Sequence, residues 1–286
     1  MDKTTYIGII LNTSKKETVG SIRAIVNLLE SNNFSPVLLQ EEAQNCHLSR
    51  LGLEREKFLR EISYLITLGG DGTLLRGARL VGDRNIPILG VNMGRMGFLT
   101  QINMEDFPGL ISCLKEKRFS LEKRRGLITE VERESFFALN DSVVLRKNPF
   151  RIIELKVSIN GEYLTTFSAD GLIISTPTGS TGHSLSAGGP ILHPEVEGMI
   201  IIPVCPHTLS HRPLLVPSSS RVEISCLSPG GVSVVCDGQV GSDAGANVPI
   251  KVMSAPFDTL LLRFTRLNFY HLLREKLSWK GHSGKK

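Results

Sequence analysis

Cysteine is scarce in this chain, and what there is does not pair. Cys46, Cys113, Cys205, Cys226 and Cys236 are scattered and odd in number, with no CxxC spacing. This argues against a disulfide framework and fits reduced thiols in a cytoplasm. Long apolar runs are missing too. The N-terminal run Tyr6–Leu11 is too short for a signal sequence, and nothing approaches the ~18 residues of a spanning helix, so no membrane partner is expected. Aromatics make up only 6% of the residues. Only Phe119 and Trp279 fall among the basic clusters Lys115, Lys117, Arg118, Lys123, Arg124, Arg125 and Lys276, Lys280, Lys285, Lys286, too few for a stacking platform. The net charge of +5 therefore reads as a solvated face and a tail, not a nucleic-acid platform. A mild positive field also suits small anionic substrates. With 41% hydrophobic and 21% charged residues over 286 positions, the chain is a folded protein of about two domains, not a disordered one.

Glycine is abundant and uneven. Of 27, eight lie between Gly69 and Gly97 and five between Gly171 and Gly189, marking backbone that approaches something closely or turns sharply. The first hundred residues alternate strand and helix signals. Strands are expected at Thr5–Leu11, Pro36–Gln40, Tyr64–Leu68 and Ile86–Val91. Helices are expected through Val19–Leu29, Leu51–Ile62 and Thr73–Leu80, then Glu105–Lys117. Such βα alternation predicts a parallel sheet with helices on its faces. From Phe119 to Phe264 the pattern turns to antiparallel β. Asn160-Gly161 gives one hairpin, Pro229-Gly230-Gly231 reads as another between Arg221–Leu227 and Val232–Cys236, and one short helix interrupts near His183–Ala187. A last helix, Leu267–Leu277, shows Leu267, Tyr270, Leu273 and Leu277 on one face and is expected to pack on the α/β half. The expected division is 1–118 (α/β, Rossmann-like, nucleotide-binding), 119–265 (β-rich) and 266–286 (returning helix).

In Gly69-Gly70-Asp71-Gly72-Thr73, a buried strand ends in glycines and opens a helix. This geometry aims free backbone N–H groups and the positive helix end at one point, as phosphate sites require. No Gly-Lys-Ser/Thr follows, so it is not a Walker loop, and Leu75 stands where a dinucleotide fingerprint needs glycine. Asp71 is a carboxylate inside an anion-binding loop. On these residues alone it is either a helix cap or a group that holds Mg²⁺ or takes a proton. The second cluster, Ser168-Ala169-Asp170 through Pro190, places Gly179 and Gly182 among the hydroxyls of Thr178, Ser180, Thr181, Ser184 and Ser186. It is either a plain Ser/Thr loop or a polar wall for ribose, amide or phosphate.

The order of residues is more specific. GGDGT at 69–73 resembles a signature shared by NAD kinases, lipid kinases of the diacylglycerol and sphingosine type, and more distantly phosphofructokinases. Residues 170–190 resemble the NAD kinase segment alone. Gly90–Leu99, Ala138-Leu139-Asn140-Asp141, Pro206–Ser210 with Arg212-Pro213-Leu214, and Cys236-Asp237-Gly238-Gln239 match the same family in order. The resemblance implies transfer of the γ-phosphoryl of ATP, or of polyphosphate, to the 2′-hydroxyl of the adenosine ribose of NAD, giving NADP with a divalent ion, Mg²⁺, as cofactor. It implies Asp71 as general base beside Gly72, with Asn140 and Asp141 on the ribose and nicotinamide portion. Asp170, Thr181, Gly182, His183, Ser184, Leu185, Ser186 and Gln239 become further dinucleotide contacts. Arg76 and Arg151 stand where the family often has a basic or polar contact. No residue is assigned as a metal ligand, and a homodimer or homotetramer is expected.

There are departures. Gly182 stands for a usual Ala and His183 for a usual Tyr, while Ser168 stands where some relatives have Arg. The active site is expected where Asp71 from one half meets Asp170 from the other. A lipid kinase would need an apolar acceptor groove, which the polar 178–186 stretch argues against. A non-catalytic NAD(P) sensor would keep 168–190 without needing Asp71. His207 and His211, bracketed by Pro206 and Pro213 with no acidic partner at zinc spacing, are not read as a metal site. His193 and Trp279 are read as packing or surface residues.

Overall fold

The computed structural model describes residues 5–13, 16–94, 96–100, 102–208, 210–264 and 269–279. Arg95, Leu209, Leu267, Lys280, Lys285 and Lys286, all used in the sequence reading, lie outside the described residues. Two compact units emerge. One comprises the described residues up to Gly77, Arg84–Glu122 and those from Leu260 onward; the other comprises Ala78–Asp83 and Lys123–Thr259.

In the first unit, strands Ile88–Asn92, Tyr64–Gly69, Thr5–Leu11, Phe34–Leu39 and Gly52–Leu53 lie side by side in that order, all parallel. Ile88–Asn92, Tyr64–Gly69 and Thr5–Leu11 are buried almost end to end, as a parallel sheet covered on both faces demands. Helix Lys16–Ser31 supplies one cover, burying Ile22, Ile25, Val26 and Leu29 at three- and four-residue spacing. It stops at Asn33, whose φ of 66° is left-handed. Helix Phe107–Lys115 adds Phe107, Ile111 and Leu114 to the same core. Register places Leu68 opposite Leu11 and Val91. The Gly69–Asp71 loop therefore leaves the sheet at the carboxyl ends of parallel strands, where open α/β sheets bind ligands.

The second unit is antiparallel. One sheet runs Glu162–Ala169, Ile153–Ile159, Val222–Cys226 and the first part of Pro249–Arg263, with Ser120–Val131 and Glu134–Ala138 also joined to it. The other runs Leu214–Pro217, Gly198–Val204, Gly171–Ser175, Asp141–Arg146, Val232–Cys236 and Val240–Ala244. Leu155, Val157, Ile224, Leu172, Ile174 and Val234 meet in one core. Strand Gly171–Ser175 is buried on both faces, because Ile173 packs with Val143, Ile200 and Ile202 under Ala187 and Leu192. The architecture is the expected α/β domain followed by an antiparallel β domain, and helix Phe269–Leu277 belongs to the first unit. No helix among the described residues is long and apolar enough to cross a membrane.

Several local expectations are corrected. Leu51–Ile62 is not one helix: Ser49–Leu51 is a 3-10 turn, Gly52–Leu53 a short strand and Arg55–Glu61 the helix. Pairing of Gly52–Leu53 with Leu38–Leu39 overrides helical propensity. The polar helix Gln40–Asn45 carried no apolar period and escaped notice. Pro229-Gly230-Gly231 does not close a hairpin. Val222–Cys226 and Val232–Cys236 sit in different sheets, and the left-handed Gly230 (φ 94°) and Gly231 (φ 70°) turn the chain from one to the other. Arg124 is not on a solvated face. It points inward on Ser120–Val131 and is buried beside Thr178. In the last helix Leu272 and Leu273 are buried, whereas Tyr270 is 60% exposed. At 3.6 residues per turn, Tyr270 stands about 110° from the middle of that buried pair.

Candidate functional site

Asp71 heads helix Asp71–Val81, the element that the Gly69-Gly70 loop opens. Its carboxylate is held by the loop at 97–100. Oδ2 accepts the Phe98 N–H at 2.8 Å; Oδ1 accepts the Leu99 N–H at 3.1 Å, the Thr100 N–H at 2.9 Å and the Thr100 hydroxyl at 2.9 Å. Oδ1 is thus crowded by three donors, while Oδ2, with one, keeps a second lone pair. Gly72 beside it is exposed. One turn along, the Arg76 guanidinium reaches the buried Glu42 at 2.6 Å and the Leu11 carbonyl at 3.0 Å, while Glu42 accepts the Leu11 N–H at 3.0 Å. Burial pushes the Glu42 carboxyl up, and Arg76 opposes the shift. Arg76 is thus tied into its own fold.

A second constellation forms in the β unit around the turn that enters strand Asp141–Arg146. Its carbonyl side is held by the other glycine cluster: Leu139 O accepts the Thr176 hydroxyl at 2.7 Å, and Asn140 O accepts the Thr176 N–H at 2.9 Å and the Ser175 hydroxyl at 3.3 Å. Gly179 makes this approach possible, since a Cβ there would fall 2.1 Å from Asn140 O. The N–H side is held by Asp237. Oδ2 accepts from Leu139 at 2.9 Å, and Oδ1 accepts from Asn140 at 2.7 Å and Asp141 at 3.3 Å. Arg79 stands 3.9 Å from Asp237 and also donates to Gln239.

Two buried carboxylates so close cannot both ionise freely. Burial, then the charge of Asp237, pushes Asp141 up to about 7. Burial raises Asp237 too, but its three N–H donors and Arg79 favour the anion. Of the two, Asp141 is therefore the carboxyl pushed toward its protonated form. Asn140 Oδ1 and the Ser184 hydroxyl are both buried with no hydrogen-bond partner. Thr181 bonds back to Thr178 O at 3.4 Å, Leu185 is half-buried, and His183 and Ser186 are exposed on the short helix His183–Ser186.

The remaining residues gather elsewhere. Strand Gly171–Ser175 has Ser175 opposite Asp141 and Gly171 opposite Leu145. Asp170 consequently sits at the far end of that strand from Asn140, roughly 20 Å away along it at ~3.3 Å per residue. There Asp170 pairs with Arg146 at 2.8 Å. The Ser168 carbonyl accepts the His207 N–H at 2.8 Å, and Arg151 is exposed in the turn following Asn148. Among the described residues no group of three or more His, Cys, Asp or Glu stands at metal-ligand spacing. The sequence reading missed Gly97, Thr100, Arg79, Arg124 and Asp237 as parts of these constellations. Asp237 and Gly97 carried a signal, lying inside the matched stretches Cys236–Gln239 and Gly90–Leu99.

A helix start built for phosphate that carries its own carboxylate, in a chain whose second unit offers neutral amides and hydroxyls, is the equipment of a nucleotide phosphotransferase. Residues 7–119 match the ATP-NAD kinase N-terminal domain, and residues 139–264 match the ATP-NAD kinase C-terminal domain. The NAD kinase of Geotalea daltonii is 40% identical over 280 residues, 96% of this chain and 98% of that protein. The NAD kinase of Geobacter sp. (strain M21) is 44% identical over 234 residues, 79% of this chain and 81% of that one. The chain belongs to the NAD kinase family, whose activity is phosphoryl transfer to NAD. Its fold is likewise that of yeast NADH kinase complexed with NADH (TM-score 0.89, 24% identity, 100% of this chain and 90% of that chain). The NAD kinase from Archaeoglobus fulgidus in complex with ATP has the same fold (TM-score 0.79, 24% identity, 97% and 100%).

Proposed function

We propose that this chain moves the γ-phosphoryl of ATP, or of polyphosphate, onto the 2′-hydroxyl of the adenosine ribose of NAD, with Asp71 accepting the hydroxyl proton. The observation that carries the reading is Asp71 itself, a carboxylate heading the helix that a glycine loop opens in a chain of this family. A ribose hydroxyl is a poor nucleophile at neutral pH, and a carboxylate within reach of its proton removes that handicap. Residues 1–118 then serve the phosphoryl donor, residues 119–265 the dinucleotide, and residues 266–286 brace the first part. Asn140, Asp141 and Gln239, together with Thr181–Ser186, hold the acceptor. Ser168, Asp170 and Arg151 are proposed as further dinucleotide contacts, away from Asn140 in the same unit. Mg²⁺ supplies charge neutralisation on the phosphates and is held mainly by them, a mode that asks for no dedicated cage of protein ligands. A cytoplasmic homodimer or homotetramer is the expected form.

One observation favours a second role for Asp71. Three donors from Leu99 and Thr100 crowd Oδ1 and the Phe98 N–H takes one site of Oδ2, so in this arrangement Asp71 also organises the 97–100 loop. The second lone pair of Oδ2 is then the site at which it would accept the proton. The test is NADP formation from NAD with Mg-ATP or polyphosphate, by the wild type and by Asp71→Asn. General-base loss lowers kcat on the order of 10²–10⁴-fold with NAD affinity retained. A kcat near wild type removes Asp71 from proton transfer and leaves the organising role.

A further inference from the structure

The turn at Leu139–Asp141 is held from both sides of its backbone. Three successive N–H groups converge on one carboxylate, Asp237, at 2.9, 2.7 and 3.3 Å. The carbonyls of Leu139 and Asn140 are taken by Ser175 and Thr176. The return bond, Asp237 N–H to Asp141 O at 2.9 Å, locks the two segments together. This grip costs backbone strain, for Asp237 itself adopts a left-handed φ of 52°. With its main chain fully occupied, the turn leaves its side chains to do other work. The buried, unpartnered Oδ1 of Asn140 is an acceptor waiting for a donor, and a ribose hydroxyl or a carboxamide N–H is the chemistry that fits it.

We propose that Asp237 is the positioning residue of the dinucleotide-binding turn, fixing where Asn140 and Asp141 present their side chains, and that Arg79 is its counter-charge. The inference rests on the reading that Asn140 and Asp141 hold NAD. Asp237 is suited to the task because a carboxylate carries enough acceptor capacity for three amide donors, whereas an amide side chain would turn its own N–H groups against one of them. Arg79 is suited because its guanidinium serves both Asp237 and Gln239, keeping a buried anion compensated.

The experiment compares wild type, Asp237→Asn, Arg79→Met and Arg79→Lys by calorimetric titration with NAD and, separately, with Mg-ATP. Each protein is also assayed for KM and kcat. Asp237→Asn is expected to weaken NAD binding at least tenfold and to raise KM for NAD by a similar factor. Mg-ATP affinity should stay within about twofold. Arg79→Met should move NAD affinity in the same direction, with partial recovery in Arg79→Lys. If Asp237→Asn does not fold, the Arg79 pair carries the same comparison. Unchanged NAD affinity in the folded variants, or equal losses for NAD and Mg-ATP, overturns the proposal. A wild type that binds NAD yet makes no NADP overturns the kinase reading instead, and the calorimetric comparison still decides on Asp237.

Discussion

Gly97 leaves no room beside Asp71: a Cβ built on it would stand 1.9 Å from the Asp71 Oδ1 and 2.4 Å from its Cγ. Gly97 also donates its N–H to the Thr100 carbonyl at 3.1 Å, so it shapes the loop whose donors hold that carboxylate. Gly97→Ala must displace either the loop or Asp71, and neither can move without breaking the four-bond clasp. We expect kcat to fall by about 100-fold or more, the scale of a displaced general base, together with a lowered Tm. Gly109→Ala, on an exposed helix face with nothing within 4 Å, is the control, and should raise stability by about 0.5–1 kcal/mol. Steady-state kinetics and thermal melts of both variants check this.

Asp141 makes stability depend on pH in an unusual direction for a carboxylate. Burial and the neighbouring Asp237 charge raise it to about 7, against ~3.9 for an unfolded Asp. Between these values the folded state holds a proton that the unfolded state has lost, so this contribution to stability falls as pH rises from about 4 through 7. The groups facing Asp141 are Asp237, with Arg79 behind it, and the Cys236 thiol, itself pushed up by burial. Asp141→Asn keeps the shape and removes the titration. Its Tm relative to wild type should therefore climb between pH 5 and pH 8, by a few degrees for each kcal/mol. A constant difference across that range would show that Asp141 is already ionised at pH 5.

The parts of this fold that declared themselves in the sequence are those dominated by short-range patterning. Ile22, Ile25, Val26 and Leu29 mark a helix by spacing, and Asn160-Gly161 marks a hairpin by turn chemistry; both are present. What stayed hidden depends on partners remote in the chain. Arg124 looks like surface charge until the strand's alternation and Thr178, 54 residues away, are both known. Asp237 meets Leu139 across 98 residues, and Gly97 meets Asp71 across a loop with no period of its own. In the same way Asp170 follows Ala169 within a segment that resembles one binding motif. The extended strand after it carries the next hydroxyls to the opposite end. Adjacency along a motif does not place two residues at the same end of a strand.

Arg76 stands where the resemblance implies a basic or polar contact, and its guanidinium is engaged by Glu42 and the Leu11 carbonyl. Replacing it with Met strands Glu42, which is 5% exposed, as a buried charge or forces it to take a proton. Breaking a buried pair from one side costs about 3–5 kcal/mol; since the Arg76 side chain is 42% exposed, the low end applies. Arg76→Met should therefore melt well below wild type, and adding Glu42→Gln should recover part of the loss. If Arg76 also binds phosphate, KM for ATP rises in the single and double variants alike. A KM that returns with the second substitution assigns Arg76 to the fold alone.

Gly182 departs from the family's usual Ala, and the surroundings explain why the change is cheap. Its backbone (φ −98°) avoids the left-handed region, and a Cβ there would meet only Gly179 O at 3.3 Å and Asn140 Nδ2 at 3.5 Å. The first contact asks for a shift of a few tenths of an ångström, and the second is ordinary packing. Gly182→Ala should therefore fold with Tm within a few degrees of wild type, helped by reduced freedom in the unfolded chain. Its added methyl would restrain the Asn140 amide, whose Oδ1 is the unpartnered acceptor of the turn. If Asn140 holds the dinucleotide, that restraint changes KM for NAD and leaves KM for ATP alone. His183→Tyr, at an exposed neighbouring position, should leave Tm unchanged. Initial rates with NAD varied at saturating ATP, beside thermal melts, check both substitutions.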